Sequence, residues 1–96
     1  MEKFTLKKPI EFEEETYNEL ELDFDSLTGD DILAAEGQYL AENGSANGFM
    51  KETSKAYQVY VAARAAKVRP ELIRALKAGD FTRLTVRTQS FLLITG

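Results

Sequence analysis

Residues 55–68, KAYQVYVAARAAKV, decide the fold. Ala56, Val59, Tyr60, Ala63 and Ala66 recur at spacings of three and four and so share one stripe of a helix, while Tyr57, Val61, Ala65 and Val68 make a second stripe beside it. The apolar surface therefore wraps most of the way round, and a helix with so little polar face has to be covered on more than one side. Its alanines carry nothing beyond Cβ and let neighbouring backbones come close. The spacing predicts a buried central helix with the rest of the chain as its cover. Tyr57 and Tyr60 each combine an apolar ring with a hydroxyl that needs a partner. Two readings fit them, a place at the core margin and a place in recognition.

On the C-terminal side, Val68-Arg69-Pro70-Glu71 reads as a break with proline at the first position of a new helix, which carries Leu72, Ile73 and Leu76 and is closed by Gly79. Asp80 then caps a last element reaching about Ile94. Thr82, Thr85, Val86 and Thr88 would suit a strand on propensity. The helical spacing of Phe81, Leu84, Thr88, Phe91 and Leu92, together with the cap, decides for a helix. Leu92, Leu93 and Ile94 leave apolar surface near its end for a partner.

On the N-terminal side, residues 45–48 form a Gly, Asn and Ser connector followed by Phe49 and Met50. These two either staple the central helix to the core or offer a contact to a partner helix. Before the connector, TGDDILAAEGQYLAENG has the marks of a capped amphipathic helix: Thr28 accepts from the backbone of Asp31, Asp30 and Asp31 suit the helix N-terminus, and Asn43-Gly44 stop it. Ile32, Leu33, Ala35, Tyr39 and Leu40 are its expected buried stripe. A calcium loop built from Asp23, Asp25, Asp30 and Asp31 fails, because its glycine is misplaced and Leu27 stands where an oxygen ligand is needed.

At the start of the chain, Phe4, Leu6, Ile10 and Phe12, then Leu20, Leu22 and Phe24, alternate with polar residues. Period two predicts an antiparallel hairpin with Glu11, Glu19, Glu21 and Asp23 in water. Pro9 cannot donate to a ladder and marks an edge strand or a bulge. Glu13-Glu14-Glu15 lacks the Gly or Asn of a tight primed turn, so a longer loop is expected. The predicted fold is α+β and mainly α: an N-terminal β-hairpin over 1–25 packed on a small bundle of about four helices over 28–96, with a flexible loop at 43–50, in one domain of 96 residues.

Composition narrows the function. The chain has no cysteine and no histidine, which removes disulfides, the usual zinc sites, the thiolate nucleophile and the commonest general base. No phosphate loop, nucleophile elbow or catalytic carboxylate pair can be assembled, so no enzyme, metal or cofactor is expected. No apolar run approaches the roughly twenty residues of a membrane span, and a cytoplasmic protein is expected. The net charge of -4 hides an asymmetry: residues 1–31 hold eleven acidic and three basic side chains, and residues 32–96 hold five acidic and nine basic. That polarity fits a solvated acidic edge, or head-to-tail attraction between copies. Arg64, Lys67, Arg69, Arg74, Lys77, Arg83 and Arg87 raise nucleic-acid binding as an alternative, but they are spread over different faces of an acidic protein.

The order LKKPIEF, ETYNELELDFDSLTGDDIL, an Ala-rich helix and RPELIRALKAGDFTRLTVRTQSFL resembles the phage tail assembly chaperones of the tail protein E type, from contractile-tailed phages and prophages. Leu6, Pro9, Ile10, Phe12, Tyr17, Leu20, Leu22, Phe24, Leu27, Thr28, Gly29, Asp30, the 62–66 alanine run, Asp80, Phe81, Phe91 and Leu92 carry the likeness, which spans nearly the whole chain. It departs at the hairpin turn, where a Gly-containing pair would be usual. The resemblance implies a transient, non-enzymatic binding protein that coats the tape measure protein and helps recruit tail tube subunits, with a longer frameshifted form in many relatives. A helix held in an apolar groove needs anchors spaced at three and four. Phe49, Met50, Tyr57, Tyr60, Phe91 and Leu92 are the candidate contacts. The rivals are a small regulatory nucleic-acid-binding protein and a structural subunit that stays in the tail.

Overall fold

Alternation of apolar and polar side chains turns the first two elements into strands. The structure is a computed structural model and describes residues 1–43 and 54–94, without the side chains of Asn43 and Ile94; Phe49, Met50 and the loop expected beyond Asn43 lie outside it. β1 (Glu2–Phe12) and β2 (Glu15–Leu22) pair antiparallel. Phe4, Leu6, Ile10, Leu20 and Leu22 are buried on one face, while Glu11, Glu19 and Glu21 are exposed. β2 stops before Phe24, which is buried in a 3-10 turn (Phe24–Ser26) rather than ending the strand.

The expected longer loop between the strands is absent. Phe12 pairs with Glu15, leaving Glu13 and Glu14 as a two-residue turn with φ of 51° and 68°. Positive φ at both central residues is the requirement of a type I′ turn, whose twist matches that of the strands. Register therefore overrides the poor fit of glutamate. Glu13 is held from outside by an ion pair to Arg69.

Pro9 does mark a bulge. Thr5 pairs with Glu19 and Ile10 with Tyr17, so residues 6–9 lie opposite Asn18 alone. The bulge sets the N–H groups of Lys7 and Lys8 outside the ladder, and both donate to the Asp80 carboxylate at 3.1 and 3.0 Å. Asp80 is thus not the expected N-cap. The last helix, here α4 (Ala78–Ile94), begins two residues before Asp80 and runs through Gly79, which closes nothing.

Between hairpin and α4 lie α1 (Gly29–Asn43), α2 (Lys55–Ala66) and α3 (Pro70–Ala75). With α4 they are the four α-helices among the described residues, and the architecture is the expected α+β, mainly α, hairpin on a helical bundle. The capping box forms reciprocally: the Thr28 N–H donates to Asp31 Oδ2 at 2.9 Å and the Asp31 N–H to Thr28 Oγ1 at 3.3 Å. The expected buried stripe of α1 is half right. Ala35 is buried and Ile32 and Tyr39 are half-buried, but Leu33 is 64% and Leu40 37% exposed.

α2 is central and packs against α1, α3, α4 and β2. Residues 57–63 and Ala65 are all buried, so Tyr57 and Tyr60 sit inside the core rather than at its margin. The helix ends two residues before Val68 because Lys67 turns left-handed, at φ 57° and ψ 43°, and the Val68 N–H reaches back to Ala63 O at 3.0 Å. One orphan carbonyl of that end, Ala65 O, accepts from Asp23 N–H at 2.9 Å, tying the exit of β2 to α2. On the α4 side the seam is polar. The Gln58 amide donates to Gln89 at 3.0 Å, and the Thr88 hydroxyl to Leu84 O at 2.9 Å, which lets a threonine-rich segment stay helical while buried.

Candidate interaction surface

What the folded molecule offers a partner depends on which apolar side chains the core leaves uncovered. Of the six expected contacts, Phe91 and Leu92 are half-buried, Tyr57 and Tyr60 are buried, and Phe49 and Met50 fall outside the described residues. The structure does not gather the described four into one patch. Phe91 stacks on Phe24, with ring centroids 4.8 Å apart and planes at 24°, on the hairpin side of α4. Its neighbour Leu92 points a third of a turn away and packs on the cluster of Ala35, Tyr57, Tyr60 and Val61 between α1 and α2.

The two tyrosines bind the helices together. Tyr57 meets Tyr39 of α1 edge to face at 5.9 Å. The Tyr60 hydroxyl accepts from Arg74 of α3 at 2.7 Å, and the same guanidinium reaches Glu42 of α1 at 3.2 Å. Burial, with a hydrogen bond to Glu42 adding to it, pushes the Tyr60 phenol up, and Arg74 works against the rise.

Apart from Met1, the large apolar side chains left exposed among the described residues lie on two helices. On α1 they are Leu33 and Leu40, with Gly37 between them and nothing within 4 Å of where its Cβ would stand. On α4 they are Val86, 56% exposed, and Leu93, 44% exposed. Sequence reading placed Leu33 and Leu40 inside. A finer use of helical spacing separates them, since Ile32, Ala35 and Tyr39 follow one stripe and Leu33, Gly37 and Leu40 another.

The basic residues that raised nucleic-acid binding are largely engaged with carboxylates. Arg64 lies 3.6 Å from Asp31, Arg74 3.2 Å from Glu42, Arg83 2.5 Å from Asp80 and Arg87 2.6 Å from Glu2, while Arg69 pairs with Glu13. A cleft of about 600 Å³ runs between α1 and the α2–α3 junction, lined among others by Leu27, Asp31, Gln38, Arg64 and Lys67. A second, of about 480 Å³, is edged by Lys7, Lys8, Lys77 and Arg83. Among the described residues, no helix is long and apolar enough to cross a membrane.

The family model described as "Phage tail assembly chaperone proteins, E, or 41 or 14" matches residues 3–93. No curated protein and no solved structure matches the chain. The matched span takes in all but the first residue of β1 and all but the last residue of α4, and the chain belongs to this family of phage tail assembly chaperones.

Proposed function

We propose that the chain is a cytoplasmic, non-enzymatic chaperone of tail assembly, which binds helical segments of the tape measure protein and helps bring tail tube subunits to it. Family membership over residues 3–93 carries the reading. It is supported by the leucines and valine left exposed on α1 and α4, seven residues apart on each helix, because a partner helix held by apolar contact is read at anchors spaced by three, four and seven. Phe91 and Leu92 belong to the proposed contact through their exposed portions, and Phe49 and Met50 through their sequence position. The regulatory reading loses ground to the ion pairs, since arginines held by the chain's own carboxylates are poorly placed to track phosphates.

Co-expression with the tape measure protein of the same tail gene cluster is the direct test, with solubility of that protein as readout. The complex is expected to stay soluble, to form with a negative heat-capacity change and to survive moderate salt. If the tape measure protein stays insoluble while duplex DNA binds at low salt and is released at high salt, the regulatory reading replaces this one. Stoichiometric recovery of the chain from purified virions would instead make it a tail subunit.

A further inference from the structure

We infer that the chain carries a binding site for a second copy of itself: the cleft edged by Lys7, Lys8 and Lys77 receives the acidic hairpin tip of another copy. The inference goes beyond the proposed function and does not rest on it. Lys7 and Lys8 belong to the bulge ahead of Pro9, and Lys77 immediately precedes α4. The bonds from the bulge N–H groups to Asp80 draw the three lysines round one cleft, of about 480 Å³, that Arg83 also lines. All three are exposed.

The fold leaves their charge unspent. Every arginine is engaged with a carboxylate, Lys3 lies 3.7 Å from Glu19, and Lys55 donates to Thr85 at 3.0 Å. Among the described residues, that leaves the side chains of Lys7, Lys8, Lys67 and Lys77 without an ion pair or hydrogen bond, and three of these four share this cleft. The one carboxylate lining it, Asp80, is buried and held by Arg83. Three ammoniums gathered in a concave site focus a positive potential, in a protein whose net charge is -4.

The chain itself supplies the matching surface. Glu11, Glu13, Glu14 and Glu15 crowd the end of the hairpin, all of them exposed, and among the described residues only Glu13 is paired, to Arg69. A two-residue turn makes that end narrow and convex, the shape a cleft admits. Within one copy, the extended backbone of β1 holds Lys8 and Phe12 about 13 Å apart, and among the described residues no ion pair joins tip to cleft. Contact between the two is therefore left to separate copies. At about 0.15 M salt the Debye length is about 8 Å, so charges facing each other at the contact attract while the net charges of the two copies are largely screened. Duplex DNA is a poorer occupant, because three ammoniums on an acidic protein give its phosphates only a short track.

The test is sedimentation of the full chain over rising concentration, at about 0.15 M and at about 1 M salt. Lys8→Glu/Lys77→Glu reverses the cleft. Glu14→Lys/Glu15→Lys reverses the tip and also brings the net charge from -4 to zero. Glu21→Lys, at an exposed site elsewhere on the hairpin, is the control. The parent chain is expected to self-associate reversibly and to weaken in high salt. Each reversed variant alone is expected to lose about tenfold or more in association, and the control to change little. An equal mixture of the two reversed variants is expected to recover the loss, since each then meets opposite charge at both contacts. Loss in the tip variant runs against its lowered net charge, which by itself would favour association, and recovery in the mixture shows that both variants are folded. A parent chain that stays monomeric, a reversed variant that associates as well as the parent, or a mixture no better than its components overturns the inference. So does association that about 1 M salt leaves untouched, or that Glu21→Lys weakens equally. A parent chain that is monomeric alone yet binds duplex DNA, with that binding lost in Lys8→Glu/Lys77→Glu, also overturns it and gives the cleft to a polyanion.

Discussion

Asp80 joins the last helix to the first strand through its carboxylate alone. Burial works against its ionisation, but the Arg83 guanidinium and the Lys8 and Lys7 N–H groups outweigh that, so it titrates below the ordinary Asp value of 3.8. Since the folded pKa is depressed, its contribution is fully present above the ordinary value and is lost as pH falls through the lowered one. Asp80→Ala leaves two bulge N–H groups without their acceptor and is expected to destabilise by about 1–3 kcal/mol at neutral pH. In urea titrations, the gap between parent and variant should close as the pH drops below about 4. A gap that persists in acid would mean that packing, not charge, holds the bulge. The hairpin turn offers the opposite change. Glu14 sits at φ 68°, a region costing a non-glycine residue about 1 kcal/mol, so Glu14→Gly should raise the unfolding free energy measured in urea by about 0.5–1 kcal/mol, and it leaves the Glu13 pair to Arg69 intact.

Among the elements, α2 shows how close its neighbours come. Ala62 is fully buried, so Ala62→Leu is expected to cost about 1–3 kcal/mol by overpacking, read as a lower denaturation midpoint without loss of helical signal. This part was legible, because a run of alanines between buried tyrosines and valines leaves little choice about what surrounds it. The strands were legible by the same kind of reasoning, and Pro9 announced the bulge. Local rules failed where a distant residue intervenes. Asp80 looks like a cap until the bulge supplies better donors, and the glutamate turn is acceptable only once register and Arg69 hold it. Lys67 takes a left-handed role that sequence assigns to glycine. The outer face of α1 was the least legible, since Leu33 and Leu40 form a helical stripe of their own beside that of Ile32, Ala35 and Tyr39, and apolar spacing does not say which stripe meets the core. Only the position of α2, against the other side of α1, puts them outside.

Across the whole molecule, part of the charge asymmetry of the sequence is spent within the fold. Glu2 meets Arg87, Glu13 meets Arg69 and Asp31 meets Arg64, each pair joining residues 1–31 to residues 32–96. The Glu2–Arg87 pair is bidentate, at 2.8 and 2.6 Å, and Arg87 also lies over Phe24. Both partners are more than a third exposed, so a double-mutant cycle with Glu2→Gln and Arg87→Gln should give a coupling of only about 0.5–1 kcal/mol, shrinking as salt rises. A coupling that salt leaves untouched would contradict this reading. The Asp80 clasp on Lys7 and Lys8 has a consequence for synthesis. More than seventy residues separate its two sides, so at about 5–20 residues per second the first strand waits roughly 4–15 seconds on the ribosome before the carboxylate that closes its bulge has been made. A nascent chain halted before Asp80 should be cleaved by protease within the hairpin, and one carried past the end of α4 and clear of the ribosome should resist.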